Sequence, residues 1–257
     1  MLRPVVLHFH LFKNAGTSVD RILKRNFKDA WAEIEGPNRK KLDSDDLLTF
    51  IRGNPELKAV SSHTAVITLP KVDDIVFIPL CFMRHPIDRI RSAYEFERTQ
   101  DAQTPGAIQA KKGSFIDYMN WRLSNPPSWQ VSNFHAQRFK DFAEFTPARN
   151  MELVAERAKH AVNAMPWLGL VEEFDRSMEI FAEAIRPYYS GFKIFRANAN
   201  RTTPPGSTVH DNLQAFQERI GAEAYGKLEE INALDFELYD MVKKRFASQI
   251  EFESVKR

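Results

Sequence analysis

The chain has one cysteine, almost no net charge, no low-complexity stretch and no long apolar run. Each shortage removes a class of protein. With Cys81 alone, an intramolecular disulfide is excluded and so is a cysteine-based zinc cluster. Cys81 lies in the apolar run 75–82 and reads as a small buried hydrophobe. No stretch approaches the ~18 apolar residues of a membrane helix. The N-terminus has no basic region followed by a long apolar one. The expectation is a soluble, cytoplasmic protein with no integral membrane segment. Lys and Arg number 36 against 34 Asp and Glu, a balance that argues against a nucleic-acid partner. A local basic cleft for an anionic ligand remains open. No Gly/Ser-rich or charged linker interrupts the chain, and no segment repeats. The 257 residues, 43% hydrophobic with 20 phenylalanines, are therefore expected to form one domain over 1–257 with a sizeable core.

Apolar spacing gives a coarse map. Val5 to His10 reads as a short buried strand, and Asn14-Ala15-Gly16 as a turn. Thr17 to Phe27 has helical spacing, with Val19, Ile22, Leu23 and Phe27 on one face. A helix is expected near Asp45 to Ile51 and a strand over Leu57 to Ser61. Ile75 to Phe82 is the strongest strand, and its near-continuous apolar character suits a central parallel position. Pro86 opens a helix whose buried stripe is Ile87, Ile90 and Tyr94. Residues 100–113 read as a polar loop. Helices follow at 114–123, 133–139 and 151–164, a short strand at 167–171 and a helix at 172–185. After a Pro- and Thr-rich loop at 198–207, residues 209–246 are mostly helical. Alternating strands and helices predict an α/β fold with a mainly parallel central sheet flanked by helices. Ligands in such sheets sit at the carboxyl ends of the strands.

Two segments at such ends carry anion chemistry. A glycine turn between strand and helix presents backbone N–H groups to phosphate. Thr17 and Ser18 add hydroxyls there, and Lys13 a charge. Read alone, Lys-x-x-Gly-Thr-Ser is equally an ordinary helix cap. The order of residues separates phosphate-binding classes. A nucleoside-triphosphate loop has lysine directly after its last glycine, whereas Lys13 precedes Gly16. The strand 75–82 leads into Arg84, not into the aspartate that helps hold magnesium in those enzymes. The site reads as one for an anion, with no metal ligands. Arg84, before a helix, and Ser92, two turns into it, pair a guanidinium fork with a hydroxyl. That combination suits a terminal phosphate, although a surface arginine and a solvated serine would look the same.

Taken together, the segments 7–19 and 82–94 resemble the 5′-phosphosulfate loop and the 3′-phosphate motif of sulfotransferases that use 3′-phosphoadenosine 5′-phosphosulfate (PAPS). The similarity is to the carbohydrate branch that includes heparan sulfate 2-O-sulfotransferase, and it covers most of the chain in order. It implies a P-loop-like sulfotransferase fold and the transfer of a sulfuryl group from PAPS to a hydroxyl, with adenosine 3′,5′-bisphosphate as product. Lys13, Asn14, Ala15, Gly16, Thr17 and Ser18 would contact the 5′ end, and Arg84 and Ser92 the 3′-phosphate. Arg201 and Thr203 fall where the family closes a late basic loop over the nucleotide.

The resemblance also places a catalytic base in the stretch 60–66, where His63 is the candidate. Histidine titrates near neutral pH and suits the removal of a hydroxyl proton. The heparan sulfate enzyme has two histidines flanking one residue here, and this chain has Ser61 and His63. Lys13 would stabilise charge on the leaving phosphate. His8 and His10 read as packing or hydrogen-bonding residues. Asn133, His135, Gln137 and Arg138 resemble a helix that lines the acceptor cleft, and Lys140, Arg196 and Arg201 could add basic character. A carbohydrate acceptor is expected, with a lipid-linked sugar, a small glycoside or a phenol still open. Two other functions remain: a P-loop kinase using ATP and magnesium, and a catalytically silent nucleotide-binding module.

Overall fold

The computed structural model of the chain describes residues 2–125, 128–195 and 208–255. The first half builds the sheet. β1 (Arg3–Phe9) leads through a turn into α1 (Gly16–Phe27), followed by β2 (Trp31–Glu33), α2 (Ser44–Gly53), β3 (Ala59–Ser62) and β4 (Ile75–Leu80). These four strands pair in parallel in the order β2-β3-β1-β4. β1 lies inside the sheet, and its residues Val5 to Phe9 are all buried, as a strand covered on both faces requires. Phe9 pairs with Ser62 of β3, and His8 with Leu80 of β4. Because the strands run the same way, the chain leaves β1, β3 and β4 along one edge. The segments starting at His10, His63 and Cys81 meet there.

The expected strand over 75–82 is divided. β4 ends at Leu80, and β5 (Phe82–Met83) leaves the main sheet to pair with β6 (Gly169–Leu170). β4 is also an edge strand of the four rather than a central one. Pro79, opposite Leu7, has no N–H for a second neighbour, which suits an edge. Only Ile75, Pro79 and Leu80 of β4 are buried, and Val76 to Ile78 are partly buried, as suits an edge position.

The remaining helices are α3 (Pro86–Thr99), α4 (Pro105–Lys112), α5 (Phe115–Ser124), α6 (Phe134–Phe139), α7 (Met151–Ala164), α8 (Phe174–Ile185), α9 (Val209–Ile220), α10 (Ala222–Ile231) and α11 (Ala233–Val255). α4 corrects the expected loop over 100–113. Thr104 caps it by accepting from the Ala107 N–H, and Pro105 fills its first position. Its buried side consists of Gly106, Ala107 and Ala110, too small to give a strong apolar period. Gly106 lies against the Arg122–Glu97 ion pair, where a Cβ would come within 2.1 Å of Arg122.

α3 is the pivot of the helical layer. Ile87, Ile90 and Tyr94 pack with Phe115, Tyr118, Phe216 and Leu228 in a second apolar cluster beside the sheet core. The other side of α3 is also covered, and every residue from Pro86 to Tyr94 is buried. Ser92 is therefore not a solvated serine. Among the described residues no helix is long and apolar enough to cross a membrane.

Candidate active site

The loop after β1 is held in an uncommon shape. Lys13 and Ala15 have φ of +64° and +61°, a region that costs a residue with a Cβ roughly 1–2 kcal/mol. Asn14, between them, is buried. Its Nδ2 donates to the Phe12 carbonyl (3.0 Å), and its Oδ1 lies 2.9 Å from His135 Nε2. Ala15 is the N-cap of α1 and offers no side-chain oxygen to the first turn. The leading N–H groups of α1 are thus available to an anion. Thr17 is exposed beside them, while Ser18 is buried. Gly16 is required by close approach: a Cβ there would lie 2.0 Å from His10 Cδ2.

Lys13 and Arg84 converge on this loop. Arg84 Nη1 donates to the Lys13 carbonyl (3.1 Å), while Arg84 Nε donates to Asp88 Oδ2 (2.6 Å). Asp88 also pairs with Arg91 at 2.8 Å, and the two guanidinium groups hold its carboxyl below the usual range despite burial. Asp88 thereby aims Arg84 from one turn along α3. The Lys13 ammonium sits 4.4 Å over the Phe96 ring. Burial, with Arg84 as a second cation, lowers Lys13 to about 8. Ser92 Oγ is buried and has no hydrogen-bond partner, a condition that costs about 1–3 kcal/mol unless a ligand relieves it. A phosphate held by Arg84 and Ser92 fits both observations. Behind Arg84, the His85 N–H donates to Glu172 Oε1 (2.7 Å), and burial lowers the His85 imidazole to about 4.

His63 lies at the same edge, 44% exposed at its side chain. Its Nδ1 is 2.8 Å from Glu35 Oε1, which also accepts from the His63 N–H (2.8 Å); Glu35 Oε2 accepts from the Thr64 N–H (3.0 Å). Burial alone would raise the Glu35 carboxyl, but these hydrogen bonds hold it below its ordinary value. A carboxylate at Nδ1 makes that nitrogen the donor and leaves Nε2 to accept a proton. The parallel β1–β3 register sets His10 beside this ring, and the two stack with centroids 3.7 Å apart. Asp20 of α1 binds His10 Nδ1 (2.8 Å) and His8 Nδ1 (2.7 Å). Burial would raise Asp20, yet the hydrogen bonds from His10 and His8 keep it well below the carboxylate range. Ser61 is buried, its Oγ shared by His8 Nδ1 (3.2 Å) and Trp31 Nε1 (3.0 Å). The second histidine beside His63 is thus His10, just after β1, rather than a residue at position 61.

Glu35, Asp20 and Asp88 did not stand out in the sequence. Charge alone carries no signal for them; strand register and helix phase bring them in. His10 was legible as a hydrogen-bonding residue, but its contact with both Gly16 and His63 depends on the pairing of β1 with β3.

The four residues expected at the acceptor fall in different places. Asn133 is structural in its contacts: its Oδ1 accepts from the Asp235 N–H (3.1 Å) and its own N–H bonds Asn232 Oδ1 (2.9 Å). His135 is fully buried, bonded to Asp235 and Asn14, and lies under the loop instead of facing a cleft. Arg138 donates to the carbonyls of Ala65 (2.9 Å) and His63 (3.3 Å), bracing the histidine turn. Gln137 and Arg138 line a shallow recess of about 160 Å³ with Lys41, Trp129, Lys140 and Asp141. Arg196, Arg201 and Thr203 lie outside the described residues.

A protein of Archaeoglobus fulgidus, described as uncharacterized, is 37% identical over 250 residues, covering 94% of this chain and 97% of its own. The profile of the Sulfotransferase family matches residues 3–241, from the first strand into the last helix. The chain therefore belongs to the sulfotransferase family.

Proposed function

We propose that residues 1–257 act as one domain that transfers a sulfuryl group from PAPS to a hydroxyl, with a carbohydrate as the acceptor. PAPS supplies the sulfuryl group and leaves as adenosine 3′,5′-bisphosphate. The observation that supports this reading is the hydrogen bond from Arg84 to the Lys13 carbonyl, which ties two candidate anion seats together. One is the uncapped N-terminus of α1 with Lys13; the other is Arg84 with the orphaned Ser92 hydroxyl. A nucleotide with phosphates at both 3′ and 5′ positions satisfies both.

In this reading Lys13, Gly16, Thr17 and Ser18 hold the 5′ end, and Asn14 and Ala15 shape the turn. Arg84 and Ser92 hold the 3′-phosphate, and Arg201 and Thr203 are further candidates for contact with the nucleotide. His63 Nε2 takes the proton of the acceptor hydroxyl while Glu35 steadies Nδ1–H. Lys13 places its positive charge where the leaving phosphate gains negative charge. The recess around Trp129 and Gln137 adjoins the His63 turn through Arg138, and an aromatic face with polar neighbours suits a sugar ring. The ATP-kinase reading has less support, since the segment after β4 offers Arg84 where a magnesium ligand would stand.

Labelled PAPS incubated with panels of glycans, glycolipids and phenols tests the proposal. Transfer to a glycan that His63→Ala abolishes, with bisphosphate affinity within about threefold of wild type, is the expected result. Binding of the bisphosphate with no transfer to any acceptor would favour the silent module, and magnesium-dependent transfer from ATP the kinase.

A further inference from the structure

The loop's shape raises a question of what holds it. Two residues with side chains, Lys13 and Ala15, occupy the left-handed region on either side of Asn14. Such conformations persist only where the surroundings over-determine them. Asn14 is the fixed point, and the hydrogen bonds around it lead away from the site. Asn14 Oδ1 faces His135 Nε2 (2.9 Å), and His135 Nδ1 faces Asp235 Oδ2 (3.0 Å). The two Asp235 oxygens also accept from the N–H groups of His135 (2.9 Å) and Ala136 (2.8 Å), at the start of α6. Asp235 is itself set by its N–H bond to Asn133 Oδ1 (3.1 Å). The side chains of His135 and Asp235 are 0% and 1% exposed. Three chain segments separated by more than 90 residues therefore join in one dry, fully bonded chain.

Since Asn14 Nδ2 already donates to Phe12, its Oδ1 is the acceptor. An acceptor then stands at His135 Nε2, and that nitrogen is the donor.

We infer that His135 is a positioning residue for the cofactor loop: braced by Asp235, it donates from Nε2 to Asn14 Oδ1, and so holds the left-handed turn that presents the N–H groups of α1. This rests on the reading that the loop takes the 5′ end of PAPS. His135 acts through Asn14 and touches no substrate.

The test is a double-mutant cycle with Asn14→Ala, His135→Gln and the double variant, read by calorimetry with adenosine 3′,5′-bisphosphate. Each single change should weaken binding about tenfold, and the double variant no more than the weaker single, because both remove the same support. Independent tenfold losses that multiply in the double variant would overturn the inference. So would wild-type affinity in His135→Gln with only a lowered melting temperature, the mark of a purely structural role. Two measurements need no ligand. Long-range ¹H–¹⁵N spectra of the wild type should show His135 Nε2 protonated, and an unprotonated Nε2 would overturn the inference. Exchange of the Ser18 amide, bonded to the Ala15 carbonyl at 2.9 Å, should be at least tenfold faster in Asn14→Ala; an unchanged rate would also overturn it. If the wild type fails to bind the bisphosphate, the cofactor reading falls, and the spectra and exchange rates still decide the role of His135.

Discussion

Gly16→Ala is the most direct perturbation of the loop. A Cβ at Gly16 would lie 2.0 Å from His10 Cδ2 and 2.2 Å from its Nε2, whereas ordinary contact begins near 3.4 Å. Either His10 retreats by more than an ångström or the start of α1 does. His10 is not free to swing, because Asp20 holds its Nδ1 and the His63 ring stacks on its face. Overpacking of this kind costs roughly 1–3 kcal/mol, and at about 2–4 °C per kcal/mol for a chain of this size the melting temperature should fall by roughly 2–12 °C. Where the loop yields instead, the same energy weakens binding of adenosine 3′,5′-bisphosphate by about 5- to 150-fold. Calorimetry and thermal melts separate these shares. Removing the obstructing ring with His10→Ala in the Gly16→Ala background should recover part of the lost stability and affinity. The reasoning is refuted if Gly16→Ala melts and binds like the wild type, or if the second substitution recovers nothing.

Other outcomes follow from the same geometry. Ser92→Ala should weaken bisphosphate binding about 5- to 30-fold without loss of stability, since the hydroxyl has no partner in the free protein; a large drop in melting temperature would contradict this. Glu35→Gln should lower turnover about 10- to 100-fold, through the loss of the carboxylate at His63 Nδ1, and leave bisphosphate affinity within about threefold. Lys13, lowered to about 8, is a cation below that pH and neutral above it. Bisphosphate affinity should therefore decline as pH rises through about 8, well before an ordinary lysine near 10.5 would respond, and Lys13→Arg should remove that decline. Calorimetry between pH 7 and 9.5 checks both statements.

The parts of the site that follow strand ends were legible in the sequence. An apolar run stopping at Lys13 to Ser18, at His63 or at Arg84 marks where a parallel sheet delivers its loops. What pairs with these residues was not legible, because pairing depends on register. His10 meets His63 only because Phe9 pairs with Ser62, and Glu35 reaches His63 only because β2 lies beside β3. The near-continuous apolar run 75–82 does not distinguish an inner strand from an edge strand whose chain steps into a second sheet after Cys81. α4 has no apolar period in the sequence because its buried face is glycine and alanine. The resemblance put His135 at the acceptor cleft, and its burial against Asp235, a hundred residues away, is not visible in a local segment.

The central claim is a clamp for a nucleotide with phosphates at both ends. Calorimetric titration of the wild type with adenosine 3′,5′-bisphosphate and, in parallel, with adenosine 5′-monophosphate tests it most directly. The account predicts that the bisphosphate binds at least tenfold more tightly and that Arg84→Ala removes most of the difference. Equal affinity for the two nucleotides, or no binding of the bisphosphate at high micromolar concentration, would contradict it.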